Sequence, residues 1–158
     1  MITFVGAGPG AADLLTLRAA ERLGAADIIV WASSLVPAEV LEHADEGATV
    51  HDSAGMTFED VTAIYVAHPT AAIVRLHSGD LSLYSAVQEQ IDWCLANDRA
   101  FEIVPGVGAP AAASAAVGRH AGPCVNPARA LSRRLPSTRG ARPRRPRPRR
   151  ARSAPAST

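Results

Sequence analysis

The chain has no lysine, only two cysteines among 158 residues, seven aromatic side chains and no acid beyond Glu102. Cys94 and Cys124 form no CxxC, and no two histidines stand at ligand spacing, so neither a disulfide framework nor a metal site is supported. No run approaches the ~18 uncharged apolar residues that a spanning helix needs. Ile2-Thr3-Phe4-Val5 leads straight into glycine instead of a basic region followed by a signal core. The expectation is a soluble, cytoplasmic chain with no membrane partner. With 47% apolar and 20% charged residues, the length suffices for one globular core and falls short of two ordinary domains.

The net charge of +1 conceals a division. Residues 1–118 carry Arg18, Arg22, Arg75 and Arg99 against all fifteen acids, a net of −11. Residues 119–158 carry the other twelve arginines and no acid, a net of +12, together with seven of the twelve prolines. Like charges repel and prolines interrupt both helix and ladder, so this second piece is expected to be disordered in isolation.

The first piece alternates strand and helix. Apolar β-rich runs at Ile2 to Val5, Asp27 to Trp31, Thr49 to His51, Ile73 to Leu76 and Phe101 to Val104 fit strands covered on both faces. Leu14, Leu17, Ala20 and Leu23 recur at helical spacing, with Arg18, Glu21 and Arg22 turned outward. Thr57 and Asp60 form a capping-box pattern ahead of Phe58, Val61, Ile64 and Tyr65. A stripe of Tyr84, Val87, Ile91 and Leu95 ends at Asn97-Asp98. The fold class expected is α/β, a five-stranded, mainly parallel sheet flanked by helices.

Three loops carry candidate chemistry. Gly6-Ala7-Gly8-Pro9-Gly10-Ala11 lies between a strand and a helix and satisfies GxGxxA. A dinucleotide site also needs an acid ending the second strand, where Val30-Trp31-Ala32-Ser33 offers none, and a plain tight turn is the bland alternative. Arg75-Leu76-His77-Ser78-Gly79-Asp80-Leu81-Ser82-Leu83-Tyr84 leaves the fourth strand. Ligands of open parallel sheets bind at the carboxyl ends of strands, so the first two loops are expected on one edge. Asp80 could accept hydrogen bonds from a ligand, or simply favour a helix N-terminus. Val104-Pro105-Gly106-Val107-Gly108-Ala109-Pro110 follows the fifth strand; it could admit a flat ligand or be only a helix entry.

In combination, VGAGPGAADLLTL, RLHSGDLSLY and VPGVGAPAAA resemble the tetrapyrrole methylase family, whose members transfer methyl groups from S-adenosylmethionine to ring carbons of porphyrin and corrin precursors. Val30 to Val36 and Ser53 to Asp60 resemble the branch acting at C-11 of precorrin-4 or cobalt-precorrin-4 on the way to cobalamin. Uroporphyrinogen-III C-methyltransferase is the neighbouring alternative. The resemblance covers nearly all of residues 1–118, an N-terminal α/β domain, and implies a smaller C-terminal α/β domain and a homodimer. It places the donor on Pro9, Ser78, Gly79, Asp80, Leu83, Gly108 and Ala109, and turns the glycine-proline loop, with Gly8 and Gly10, toward the tetrapyrrole. The substrate would be a polycarboxylate while residues 1–118 are net acidic, so Arg75, with Arg18 the only arginines near this edge, and neighbouring His77 are further substrate candidates. The implied reaction is direct displacement at the sulfonium methyl, needing no protein nucleophile. No catalytic base is named: His77 has the right chemistry, but a strand histidine is more often packed. Ala11-Ala12 stand where the family usually has an acid and a proline, Leu81 where it has proline, and Gly108 and Pro110 where a hydroxyl residue and usually an aromatic are common. These departures touch substrate orientation more than donor binding.

The motifs stop before Arg119. The expectation is that a shifted reading frame in a GC-rich gene produced this segment, rich in Arg, Pro, Ala, Gly and Ser with no acids, in place of the C-terminal domain that activity would need. The competing reading is an arginine-rich arm that binds nucleic-acid phosphates beside a degenerate methylase domain. No aromatic interleaves the arginines for base stacking, which argues against it.

Overall fold

The computed structural model describes residues 1–84 and 87–119. The arginine-rich segment from His120 onward lies outside the described residues, and with it the expectations of disorder and of a nucleic-acid arm.

Five strands form one parallel sheet: β1 (Ile2–Gly6), β2 (Ile28–Trp31), β3 (Thr49–Asp52), β4 (Ile73–His77) and β5 (Phe101–Val104), in the order β3-β2-β4-β1-β5. Each lies within about a residue of its expected run. β1 and β4 pair in register from Ile2 with Ile73 to Gly6 with His77, which aligns their carboxyl ends.

Helices cover both faces. The first segment after β1 is a 3-10 turn (Ala12–Leu14), followed by α1 (Leu17–Gly24), whose N-cap Thr16 accepts from the Ala19 amide. Leu23 and Ala19 of α1 join Val5, Ile29, Val74, Leu76 and Val104 in one core. On the other face α2 (Phe58–Ala67) and α4 (Gln88–Ala96) bring Val61, Tyr65 and Cys94 against Ile2, Phe4, Ile28 and Ile73. The Tyr65 hydroxyl donates to Gln90 Oε1 at 2.7 Å, so the polar pair between these helices is buried yet satisfied. Short α3 (Leu81–Tyr84) precedes α4, and α5 (Ala109–Ala116) follows β5.

The Thr57–Asp60 capping box forms as expected, with side chain and backbone exchanged in both directions. Four expectations are corrected. Leu14 and Leu17 are 37% and 86% exposed, because α1 starts only at Leu17 and rotates Ala19 and Leu23 toward the sheet. The α4 stripe runs through Val87, Gln90 and Cys94, leaving Leu95 64% exposed. Nor is every strand covered on both faces: β3 is an edge strand, with Thr49, Val50 and Asp52 exposed. At the opposite edge, the Arg22 fork (Nε to Glu102 Oε2, 2.7 Å; Nη2 to Oε1, 3.2 Å) ties α1 to β5, so Arg22 is not merely turned outward.

Candidate functional site

The chain leaves β1 toward β2 over one face of the sheet and leaves β4 toward β5 over the other. Adjacent β1 and β4 are therefore the topological switch point, where the connecting segments pass to opposite faces and where ligands of open parallel sheets bind.

All three candidate loops meet there. The Ala7 amide donates to His77 O at 2.7 Å, Gly8 donates to Gly79 O at 3.2 Å, and Gly79 returns a bond to Gly8 O at 2.7 Å. This bridge requires left-handed backbone at Gly8 (φ 80°) and Gly79 (φ 67°), which glycine adopts without strain. Gly6 and Gly106 close the third side: a Cβ on Gly6 would stand 2.6 Å from the Gly106 nitrogen and 2.7 Å from Gly79 O. The loops after β1, β4 and β5 are thus packed backbone to backbone.

Above them the surface opens. A Cβ at Gly79 or Gly10 would meet nothing within 4 Å. Asp80 is half-buried at the start of α3; its Oδ2 accepts from the Ser82 hydroxyl at 2.7 Å and its Oδ1 from the Ser82 amide at 3.3 Å. The Ser82 hydroxyl chiefly, with help from the Ser82 and Gly106 amides, holds its carboxyl below the usual carboxylate range. The helix reading of Asp80 holds, since its carboxylate accepts from Ser82 in the first turn of α3, and the group stays ionised at the loop edge. Leu83 is 53% exposed, and a Cβ on Gly108 would lie 3.4 Å from Leu83 Cδ1 and 3.8 Å from Asp80 Cβ. Ser78, Gly79, Asp80, Leu83, Gly108 and Ala109 therefore share one rim, with Pro9 and Gly10 following Gly8 beside it. The rim thus combines an anion, an exposed leucine and unshielded glycine backbone.

Arg75 and His77 stand apart from that rim. They share the α2 face of β4 with Ile73, because side chains alternate along a strand. The Arg75 guanidinium turns toward β2 and β3: Nη1 donates to Ser53 Oγ at 2.8 Å, Val30 O at 3.3 Å and Leu76 O at 3.4 Å. Burial lowers its pKa. His77 is half-buried with its ring 6.3 Å from that of Phe4. Burial first, then the Arg75 charge, pushes its pKa down to about 3, so it is neutral at pH 7 and a weak base.

The first loop departs from its expected setting. Gly10 is separated from α1 by the 3-10 turn, so no helix N-terminus points into the glycines as in a dinucleotide phosphate loop. Two features were missed in the sequence. Gly106 is a packing element as tight as Gly6. Ser53 is buried at the end of β3 and joins Trp31 O to Arg75, although its segment had been singled out for its spelling alone.

The family model of the tetrapyrrole (corrin/porphyrin) methylases matches residues 1–154, running past the last of the three motifs. The chain belongs to the tetrapyrrole methylases. A precorrin-4 C(11)-methyltransferase of Rhodococcus erythropolis is 43% identical over 120 residues, 75% of this chain and 48% of that protein. A cobalt-precorrin-4 C(11)-methyltransferase of Methanocaldococcus jannaschii is 37% identical over 73% of this chain and 46% of its own length. Among solved structures, a cobalt precorrin-4 methyltransferase superposes with a TM-score of 0.71 at 34% identity, covering 74% of this chain and 50% of that one. A uroporphyrin-III C-methyltransferase from Thermus thermophilus complexed with S-adenosyl homocysteine gives a TM-score of 0.59 at 26% identity, covering 72% and 47%. The chain spans about half the length of the curated relatives it matches. Among the described residues no helix is long and apolar enough to cross a membrane, and no cluster of three or more His, Cys, Asp or Glu could hold a metal.

Proposed function

We propose that residues 1–118 form the donor- and substrate-binding half of an S-adenosylmethionine-dependent C-methyltransferase acting at C-11 of precorrin-4 or cobalt-precorrin-4 in cobalamin biosynthesis. The observation that carries this reading is the meeting of the loops after β1, β4 and β5 at one edge of the sheet, in a methylase whose relatives bear that name. Asp80, Leu83, Gly79, Ser78, Gly108 and Ala109 hold the donor, with Pro9 flanking it. When bound, the donor supplies an electrophilic methyl on a sulfonium. Asp80 offers a carboxylate to its hydroxyl or amine groups, Leu83 covers its apolar part, and the glycines allow close backbone approach.

The tetrapyrrole lies over Gly8 and Gly10 and extends toward Arg75, a half-buried cation on β4, with His77 as a packed wall beneath the loops. No side chain here serves as a nucleophile. The contribution of the chain is orientation, which in favourable systems is worth ~7 to 11 kcal/mol. A homodimer, a cytoplasmic setting and a second domain completing the cleft belong to the same proposal.

Calorimetry with S-adenosylhomocysteine tests it. The full chain binds one equivalent, and Asp80→Ala weakens binding by about tenfold or more, the scale of a lost hydrogen bond to a charged group. Absence of binding, or indifference to Asp80→Ala, contradicts the site.

A further inference from the structure

Away from the donor rim, the carboxyl ends of β2 and β3 form a second polar corner. Asp52 Oδ1 accepts from the Ser33 amide at 3.1 Å and the Ala54 amide at 3.0 Å, and its Oδ2 accepts from the Ser33 hydroxyl at 2.6 Å. That carboxylate is the one nearest Ser53 in sequence, and it is committed away from Arg75. Among the described residues Arg75 has no ion pair. Among the described residues its Nη1 donates to three oxygens, its Nε is enclosed without a partner, and its Nη2 has no partner and is not sealed from solvent.

A half-buried guanidinium without a counter-ion is costly, because desolvation is not offset by a nearby anion. The corner nonetheless holds it firmly. Ser53 Oγ accepts from Nη1 at 2.8 Å while donating to Trp31 O at 2.9 Å, so the hydroxyl is fixed by β2 and in turn fixes the arginine. With Nη1 anchored, the fork can present only Nη2 outward.

We propose that Ser53 is a positioning residue: it aims Arg75 Nη2 at a carboxylate of the bound macrocycle, making the β2–β3 corner the place where the periphery of a polycarboxylate ligand is read. The inference rests on the reading above and deepens it. It assigns Ser53 an action through Arg75 and none on the methyl donor. The Val30 to Val36 and Ser53 to Asp60 segments, which are far apart in sequence, become parts of one subsite.

A double-mutant cycle with uroporphyrin, a porphyrin bearing eight carboxylates, tests it. The full chain is labelled with 15N and titrated in about 0.3 M salt, which screens the arginine-rich segment. Affinity is read from the amides of Val30, Ser53 and Leu76, so that binding elsewhere does not enter. Arg75→Met is expected to weaken binding by about thirtyfold or more and Ser53→Ala by about tenfold, the scale of charge-assisted bonds. In the Arg75→Met background Ser53→Ala changes it less than about twofold. Ser53→Ala leaves S-adenosylhomocysteine affinity unchanged, which excludes a general loss of folding. Equal Ser53→Ala effects in both backgrounds, or none in the wild type, overturn the proposal. If uroporphyrin moves none of these amides while S-adenosylhomocysteine still moves Asp80, the corner is refuted and the donor site stands; if neither binds, both fail.

Discussion

Gly6→Ala probes the interlock on which the site depends. The new Cβ would stand 2.6 Å from the Gly106 nitrogen, 2.7 Å from Gly79 O and 2.8 Å from Gly106 Cα, all backbone atoms held by β1, β4 and β5. No flexible side chain can move aside, and the φ of Gly6 lies outside the left-handed region, so the penalty is steric alone. Overpacking typically costs ~1–3 kcal/mol, and rigid neighbours on every side put this site near about 3 kcal/mol. With a urea slope of about 1.5 kcal/mol/M for a domain of this size, the unfolding midpoint falls by about 2 M. Affinity for S-adenosylhomocysteine falls with it, because Gly79 and Gly106 must separate to admit the methyl. Gly55→Ala is the control: its Cβ meets nothing within 4 Å, and its midpoint stays within about 0.5 kcal/mol of wild type. A Gly6→Ala protein of unchanged midpoint and affinity refutes the interlock.

Thr57→Ala removes the capping box of α2 and costs about 1 kcal/mol, read as a fall of about 5 °C in a thermal melt. Stability also depends on acid. The folded pKa of His77 lies near 3, below its ordinary 6.5, so the unfolded chain binds more protons between those values and stability is lost as pH falls through that window. His77→Gln flattens this limb in urea titrations run from pH 7 to pH 4. Asp52, Asp60, Asp80 and Glu102, all held below the usual carboxylate range by hydrogen bonds, add a further loss that sets in below about pH 5 and deepens as pH falls, so it survives as a residual acid limb in that variant.

The strands were legible because buried parallel strands are written as short, nearly unbroken apolar runs, and Ile2 to Val5 or Ile73 to Leu76 admit little else. The capping box was legible because its two residues act within one turn. Helix faces were less so. Leu17 sits at helical spacing from Leu14, but Thr16 caps α1 one residue before it, and that local bond sets which side meets the sheet. Position decided the rest. That Asp80 adjoins Gly106 and Gly108 follows from β4 and β5 flanking β1, a strand order no local pattern encodes. Ser53 and Arg75 likewise meet only because β2 lies between β3 and β4.

The most direct test maps amide shifts in the 15N-labelled chain as S-adenosylhomocysteine is added. Shifts concentrated at Gly8, Gly79, Asp80, Leu83, Gly108 and Ala109, with Gly24, Asp27 and Gly47 at the other end of the strands unmoved, are the predicted result. Shifts centred on that opposite end, or saturation with no change at Gly79 and Asp80, contradict the account.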